Sequence, residues 1–152
     1  MIAVEKAYFT PEGIEKYKEK LEEREEEINQ LQSRLSELAD SGGDDWHDNF
    51  SFEEQQRQIQ MKTRQLKKDR AVLSRAKVIE KPENPDEVCI GATIDLIRNG
   101  NEETWEIGGY DESSPEDRIA AYNTPIGSKL MHHEEGDTLQ FNGQRIRVVS
   151  IS

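Results

Sequence analysis

Three aspartates crowd one short stretch of the chain, SGGDDWHDNF at residues 41–50. Asp44, Asp45 and Asp48 stand within five residues of one another, directly after Gly42-Gly43. Carboxylates this close together repel one another unless a cation lies between them, and they are the hard oxygen ligands that Mg²⁺ and Ca²⁺ prefer. The stretch therefore suggests contact with a cation at this point of the chain.

A purely structural explanation of the same acids stays open. Aspartate is common in turns and at helix N-caps, and the helix dipole favours an acid such as Asp48 at a helix start. Asp44 and Asp45 fit this explanation less well, because they would add charge beside the negative C-terminal end of the preceding helix. The spacing does not match an EF-hand loop, whose glycine follows the first acids.

A few carboxylates on a turn are too few to hold Mg²⁺ tightly, so a second macromolecule would have to supply further ligands. His47 could be a ligand or proton carrier, although an exposed loop histidine is the commoner case. Trp46, Phe50 and Phe52 could close the end of a hairpin, or one of them could enter a pocket of a partner.

Two helices must position this stretch. Thr10-Pro11 predicts a helix start, with a hydroxyl N-cap and proline at the first helical position. Steps of three and four then predict a heptad pattern that only Arg24 interrupts, and Gly42-Gly43 predicts its end. The apolar positions are Ile14, Tyr17, Leu21, Ile28, Leu31, Leu35 and Leu38.

A second helix should begin near Asp48, Asn49 or Ser51, all acceptable N-caps. Its apolar residues recur every seven positions, at Phe52, Ile59, Leu66 and Leu73, while the other core position is polar at Gln55, Lys62 and Asp69. Residues 11–40 carry ten acids and five bases, and residues 53–77 carry three acids and eight bases. These opposite charges favour an antiparallel hairpin within one chain, with an acidic tip at residues 41–51.

Composition agrees with a long solvated helical part. Hydrophobic residues make up 33% of the 152 positions and charged residues 34%, which is little apolar material for one compact core. The net charge of −12 argues against non-specific binding to nucleic acid or an anionic membrane. One cysteine, Cys89, excludes an internal disulfide, and no apolar run is long enough to span a bilayer, so we expect a soluble cytoplasmic protein.

The pattern changes after EKPENPDE, residues 80–87, which has the character of a linker. Asn99-Gly100 and Asn142-Gly143 each predict a tight turn between two strands, and Thr124-Pro125 predicts a short helix. The predicted fold class is α+β: a coiled-coil hairpin in residues 1–79, a linker in 80–87, and a small antiparallel sheet with one helix in 88–152.

Three segments together resemble the GreA/GreB transcript-cleavage factors of bacterial RNA polymerase. They are TPEGIEKYKEKLEE, GDDWHDNFSFEEQQ and NTPIGSKLMHHEEGDTLQF, and the similarity runs nearly end to end. The resemblance implies an N-terminal antiparallel coiled coil and an FKBP-like C-terminal domain that docks at the rim of the polymerase secondary channel.

In that family the coiled coil enters the channel and its tip acids help to hold a second catalytic Mg²⁺ shared with the polymerase. The polymerase then hydrolyses the extruded 3′ end of a backtracked RNA. The resemblance thus implies a cofactor that is not itself an enzyme, with bacterial RNA polymerase and the nascent RNA 3′ end as partners, no membrane partner, and a monomeric state.

The resemblance also assigns individual residues. Asp48 takes the place of the family's glutamate before Asn49, Phe52 takes the aromatic place, and either Asp45 or Asp44 is the first acid. Asp44, Asp45 and Asp48 are therefore the expected catalytic and metal-directed acids, and Asn49 and Phe52 the expected partner contacts, together with Pro125, Ile126 and Gly127 of the second domain.

The tip departs from the family pattern, because Asp48 is one methylene shorter than glutamate and Ser51 stands where an acid is expected. Some family members with aspartate-rich tips occupy the channel and inhibit the polymerase, so a non-cleaving regulator is the alternative. A third hypothesis is an interaction module with a different target. An isomerase activity of the second domain would rest on fold resemblance alone.

Overall fold

The computed structural model describes residues 5–40 and 46–152, with the backbone only for residue 40 and residues 46–50. The helices are α1 (Pro11–Asp40), α2 (Trp46–Ser74) and α3 (Pro125–Leu130). The strands are β1 (Ala7–Phe9), β2 (Ala76–Val78), β3 (Thr93–Arg98), β4 (Asn101–Gly108), β5 (Ile119–Ala121), β6 (Thr138–Phe141) and β7 (Gln144–Ile151). None of the described helices is both long enough and apolar enough to cross a bilayer.

The start of α1 follows the Thr-Pro signal. The Thr10 hydroxyl accepts a hydrogen bond from the Gly13 amide at 3.0 Å, which satisfies one of the amides that no helical carbonyl can reach. The start of α2 differs from the prediction, because the helix begins at Trp46. Asp48, Asn49 and Ser51 therefore lie inside α2 and do not cap it.

Contacts between α1 and α2 show that the two helices run antiparallel. Lys62 donates to Glu27 at 2.7 Å, and Arg70 lies 3.2 Å from Glu25, so positions that rise along α1 meet positions that fall along α2. These ion pairs confirm that the acidic first arm pairs with the basic second arm. The apolar seam between the arms includes Tyr17, Leu21, Ile28, Ile59, Leu66 and Val72.

A five-stranded sheet in the order β5-β4-β3-β7-β6 follows the hairpin. Its two tight turns are those predicted: Asn99 and Gly100 have φ of 50° and 81°, and Asn142 and Gly143 have φ of 50° and 76°. A two-residue hairpin turn that matches the strand twist needs positive φ at both positions, which Asn-Gly adopts at low cost. The Thr124 hydroxyl accepts from the Gly127 amide at 3.2 Å and caps α3, also as predicted.

The sheet is mixed, which corrects the prediction of a purely antiparallel one. Strand β5 pairs with β4 in parallel, and a separate two-stranded sheet pairs β1 with β2 in parallel. These strands have three residues each, so no period-two pattern could reveal them. The α+β class, with a helical hairpin followed by a small sheet domain, is confirmed, and the FKBP-like description of that domain stays a prediction.

One buried cluster forms the core of the sheet domain. It contains Val88, Ile90, Ala92, Ile94, Leu96, Ile107, Leu130, Leu139, Ile146, Val148 and Ile151. The buried positions alternate along β3 and β7, so one face of the sheet supplies most of the cluster, and Leu130 of α3 joins it. This is the arrangement by which a sheet with one apolar face acquires a core.

The compact units do not follow the predicted boundaries. One unit contains residues 16–75, and the other contains residues 5–15 together with 76–152. Strand pairing is the cause, because β1 before the hairpin bonds to β2 after it. Residues 80–87, predicted as a linker, lack regular structure but belong to the second unit.

Candidate functional site

The predicted acids fall between the end of α1 and the first turn of α2 in the sequence. Asp44 and Asp45 lie outside the described residues, in the five positions between the end of α1 and the start of α2. The backbone places Asp48 and Asn49 in the first turn of α2, where the partial positive charge of the helix favours an acid. Phe52, one turn further on, is half-buried.

Both helices that flank residues 41–45 in the chain are long. Helix α1 has 30 residues and α2 has 29, which corresponds to about 45 Å for each at 1.5 Å per residue. A pair of helices braced by cross-arm ion pairs is a stiff support for a short acidic turn. Such a hairpin can carry carboxylates into a narrow space that a compact domain could not enter.

A buried polar group interrupts the apolar seam of the hairpin. Asp69 is only 7% exposed; Arg24 of α1 pairs with its carboxylate, and the Gln65 amide donates to it at 3.0 Å. Arg24 is the residue that breaks the heptad series, and Asp69 is one of the polar core positions of α2. Both signals were visible in the sequence, but nothing in the spacing showed that the two residues meet.

Helix α3 carries the residues expected to contact a partner. Pro125 is exposed, Ile126 is half-buried against the core cluster, and Gly127 is buried. A β-carbon on Gly127 would lie 1.9 Å from the Ala121 carbonyl oxygen, so the glycine allows α3 to pack closely on the end of β5. The role of Gly127 in the structure is packing, and a partner contact for these three residues stays a prediction.

The two histidines after α3 each face a carboxylate. His132 Nδ1 lies 2.9 Å from Glu87, and His133 Nδ1 lies 3.3 Å from Asp137. The Glu134 amide, then His133, hold the pKa of the Asp137 carboxyl below its usual value. Among residues 5–39 and 51–152, whose side chains the structure describes, no three His, Cys, Asp or Glu side chains come together as a metal site.

A glutamate that the sequence did not single out fixes the start of α1. The Thr10 hydroxyl donates to one carboxylate oxygen of Glu112, and the Gly109 amide donates to the other at 3.1 Å. A negative group at this position also suits the positive end of the helix. The contact spans 102 residues of sequence, so no local pattern could have indicated it.

Comparison with known proteins decides the family. Residues 82–152 match the family model described as transcription elongation factor, GreA/GreB, C-terminal. A transcription elongation factor GreA from a Nitratiruptor species is 30% identical over 138 residues, covering 89% of this chain and 83% of that protein. This chain belongs to the GreA/GreB family. The GreA of a Roseiflexus species is 32% identical, covering 82% of this chain and 81% of its own.

Solved structures of family members align with the chain along most of its length. GreA factor homolog 1 of Thermus thermophilus aligns with a TM-score of 0.46 and 20% identity, covering 97% of this chain and 99% of its own. The family membership leaves open what residues 44–51 of this chain do, because the family model matches residues 82–152 only. The chain carries aspartate at position 48 and serine at position 51, which is exposed on α2.

Proposed function

We propose that this GreA/GreB protein binds bacterial RNA polymerase in the cytoplasm through the secondary channel and stimulates cleavage of backtracked nascent RNA. The observation that carries the proposal is the antiparallel pair of helices, each of about 45 Å, that flanks the acidic sequence at residues 41–48. The turn would reach the polymerase active site, and the polymerase would supply the phosphate ligands and the first metal ion. The protein would act as a monomeric cofactor and would not hydrolyse RNA alone.

The donor set of the turn suits Mg²⁺, since Asp44, Asp45 and Asp48 offer carboxylate oxygens only. When bound, the ion would stabilise charge on the attacking and leaving oxygens of the RNA phosphate. The chain itself would bring two or three carboxylates to the ion and hold them on a stiff support. Without the polymerase, so few ligands leave the ion largely hydrated.

The second unit would dock at the rim of the channel. Support comes from α3, where Pro125 is exposed and the close packing of Gly127 fixes the helix against β5. Asn49 and Phe52 near the tip would contact the walls of the channel. Binding would then depend on residues of both units, whereas cleavage would depend on the tip acids.

A single assay tests the proposal. The protein is added to a backtracked elongation complex with Mg²⁺, and the RNA is examined on a gel. We expect shortened RNA with the parent protein and a loss of about 100-fold in cleavage rate for Asp45→Asn and Asp48→Asn, with polymerase affinity unchanged. Glu37→Gln is the matched control, because it removes an exposed carboxylate near the same end of α1.

The alternative function is that of a non-cleaving regulator of the channel. It is suggested by Asp48, whose side chain is shorter than that of glutamate, and by Ser51, where the family resemblance led us to expect an acid. It predicts slower nucleotide addition without any shortened RNA. Full cleavage by both aspartate variants would contradict the tip mechanism. No effect of the parent protein on either cleavage or elongation would contradict both functions and favour an interaction module with another target.

A further inference from the structure

Asp69 lies at the centre of a polar layer inside the hairpin. Its carboxylate pairs with Arg24 and accepts from Gln65, and the Tyr17 hydroxyl makes long contacts of 3.4 and 3.5 Å with its carbonyl and carboxylate oxygens. Tyr17 and Arg24 are seven residues apart, so they approach Asp69 from the two sides along the axis of α1. These contacts hold Asp69 of α2 at one position along the axis of α1.

The apolar seam alone does not define the position of α2 along the axis of α1. In α2 the apolar residues Ile59, Leu66 and Leu73 repeat every seven positions. Sliding α2 by one heptad would therefore place one of these aliphatic residues where another had been, and the seam would still be apolar. A relative slide of seven residues amounts to about 10 Å along the helices. The turn would have to recruit or release residues to follow it, and its centre would move by about 5 Å.

The polar residues at the other core position of α2 do define this axial position. Gln55, Lys62 and Asp69 are an amide, a cation and an anion, again seven residues apart. A slide in one direction would set Lys62 against Arg24 and place two cations together. A slide in the other would draw Ala76 out of β2, where it pairs with Ala7, and would leave the Arg24 guanidinium without its carboxylate, which is costly for a partly buried charge.

Two exposed ion pairs also cross the hairpin, but they constrain it less. Glu27–Lys62 and Glu25–Arg70 involve side chains that are 40–56% exposed, whereas the Arg24 and Asp69 side chains are 33% and 10% exposed. Water and salt weaken interactions between exposed charges. The buried layer is therefore the stronger determinant of register.

We propose that Asp69, with Arg24 and Tyr17, is a positioning set that fixes the register of the hairpin and so places the tip acids. The second half of this statement rests on the proposed function. Metal ligands must lie within about 0.2 Å of their required distances, and errors of about 1 Å lower catalytic rates steeply. A tip displaced by several ångströms would leave polymerase binding intact and abolish the alignment of its carboxylates.

Stability and register can be separated experimentally. Replacing a buried ion pair by apolar residues of similar volume is often neutral or stabilising, while it removes the polar distinction between alternative registers. The test variant is Arg24→Leu/Asp69→Leu, which should keep its helix content and its melting temperature. The matched control is Glu27→Gln/Lys62→Gln, which removes an exposed cross-arm pair of the same charges.

Register is measured in the full-length protein by electron-spin distance measurement. Spin labels are placed at Gln32→Cys and Gln58→Cys, both exposed, in a Cys89→Ala background. We expect one narrow distance in the parent and in the Glu27/Lys62 control, and a second or broadened distance in the Arg24/Asp69 variant. As single substitutions in the parent, Arg24→Lys, which keeps the cation, should retain the single distance, and isosteric Asp69→Asn should broaden the distance distribution.

Cleavage of backtracked RNA is measured on the same proteins. We expect the Arg24/Asp69 variant to lose at least about 10-fold in cleavage rate with polymerase affinity within twofold of the parent. A single unchanged distance in that variant would overturn the register assignment, and a shifted distance with full cleavage would overturn the positioning role. If the parent itself failed to cleave RNA, the proposed function would fail, and the distances alone would still decide the register.

Discussion

The hairpin and the sheet domain bury their apolar side chains to different degrees. In the sheet domain Val88, Ile94, Ile146 and Val148 are 0% exposed. In the hairpin seam the buried residues retain 5–8% exposure, and Leu31, Leu35 and Leu38, nearer the tip, are only half-buried. Two helices can cover only one stripe of each other, whereas a sheet that closes over its own apolar face can exclude water.

This difference teaches which interactions specify each region. In the sheet domain, shape and close packing define one arrangement, because each side chain fills a space that another register would leave empty. In the hairpin the apolar stripe repeats, so charged and polar groups, together with the pairing of β1 with β2, supply the distinction. The hairpin therefore depends on Asp69 and the cross-arm ion pairs in a way that the sheet domain does not.

Truncating one leucine in each region should give the largest contrast. Leu96→Ala in the sheet core should lower the free energy of unfolding by about 4 kcal/mol, because it leaves a cavity in an enclosed core. Leu66→Ala in the seam should cost about 2 kcal/mol, since that site can partly collapse or admit water. Urea unfolding followed by helical circular dichroism and by Trp105 fluorescence, in a Trp46→Phe background, separates the two regions. Equal costs would contradict the comparison.

Adding one methyl group to α3 should test close packing in the sheet domain. Gly127→Ala should lower the free energy of unfolding by about 1–3 kcal/mol, because its β-carbon would collide with the Ala121 backbone. The control Ser128→Ala, exposed on the same helix, should change it by less than about 0.5 kcal/mol. Calorimetry of the sheet-domain transition measures both, and tolerance of Gly127→Ala would show that α3 can shift.

The smallest effect concerns an exposed carboxylate on the outer face of the sheet. Thr104 donates to Asp95 at 2.7 Å and Ser150 at 2.8 Å, and these bonds hold the pKa of the Asp95 carboxyl below its ordinary value of 3.8. Because that pKa is lower in the folded chain, Asp95 adds stability above pH 3.8, and this contribution is lost as the pH falls through the folded-state pKa.

Nuclear magnetic resonance titration of the Asp95 carboxyl checks this prediction. Thr104→Ala should raise its pKa toward the ordinary value, and Ser150→Ala should raise it by less. The stability difference between the parent and Asp95→Asn should narrow below pH 4. A carboxyl pKa unchanged by both variants would show that the two hydroxyls contribute nothing.

Local signals in the sequence were sufficient for the elements that carry them. The heptads predicted both long helices, the two Asn-Gly pairs predicted both tight turns, and Thr10-Pro11 and Thr124-Pro125 predicted the starts of α1 and α3. Each of these signals acts within a few residues, so it needs no knowledge of the rest of the fold. The acidic tip predicted at residues 41–51 stays a prediction for residues 41–45, which lie outside the described residues.

Long-range contacts could not be predicted in this way. Strands β1, β2 and β5 are too short to show a period, and the partner of Thr10 is a glutamate 102 residues away. The meeting of Arg24 with Asp69 depends on the register of the hairpin, which a seven-residue apolar repeat leaves undetermined. The compact units differ from the predicted boundaries because they, too, depend on the pairing of β1 with β2.

That pairing has a consequence for the order in which the protein is made. Strand β1 leaves the ribosome early, but β2 follows only after residue 75, and Tyr122, whose hydroxyl accepts from the Tyr8 amide, follows later still. At about 5–20 residues per second, β1 waits roughly 3–13 s for β2. Helix α2 is complete at Ser74, directly before β2, so packing of α2 along α1 brings residues 9 and 78 together as β2 appears. Closure of the nascent hairpin thus brings β1 into position to pair with β2.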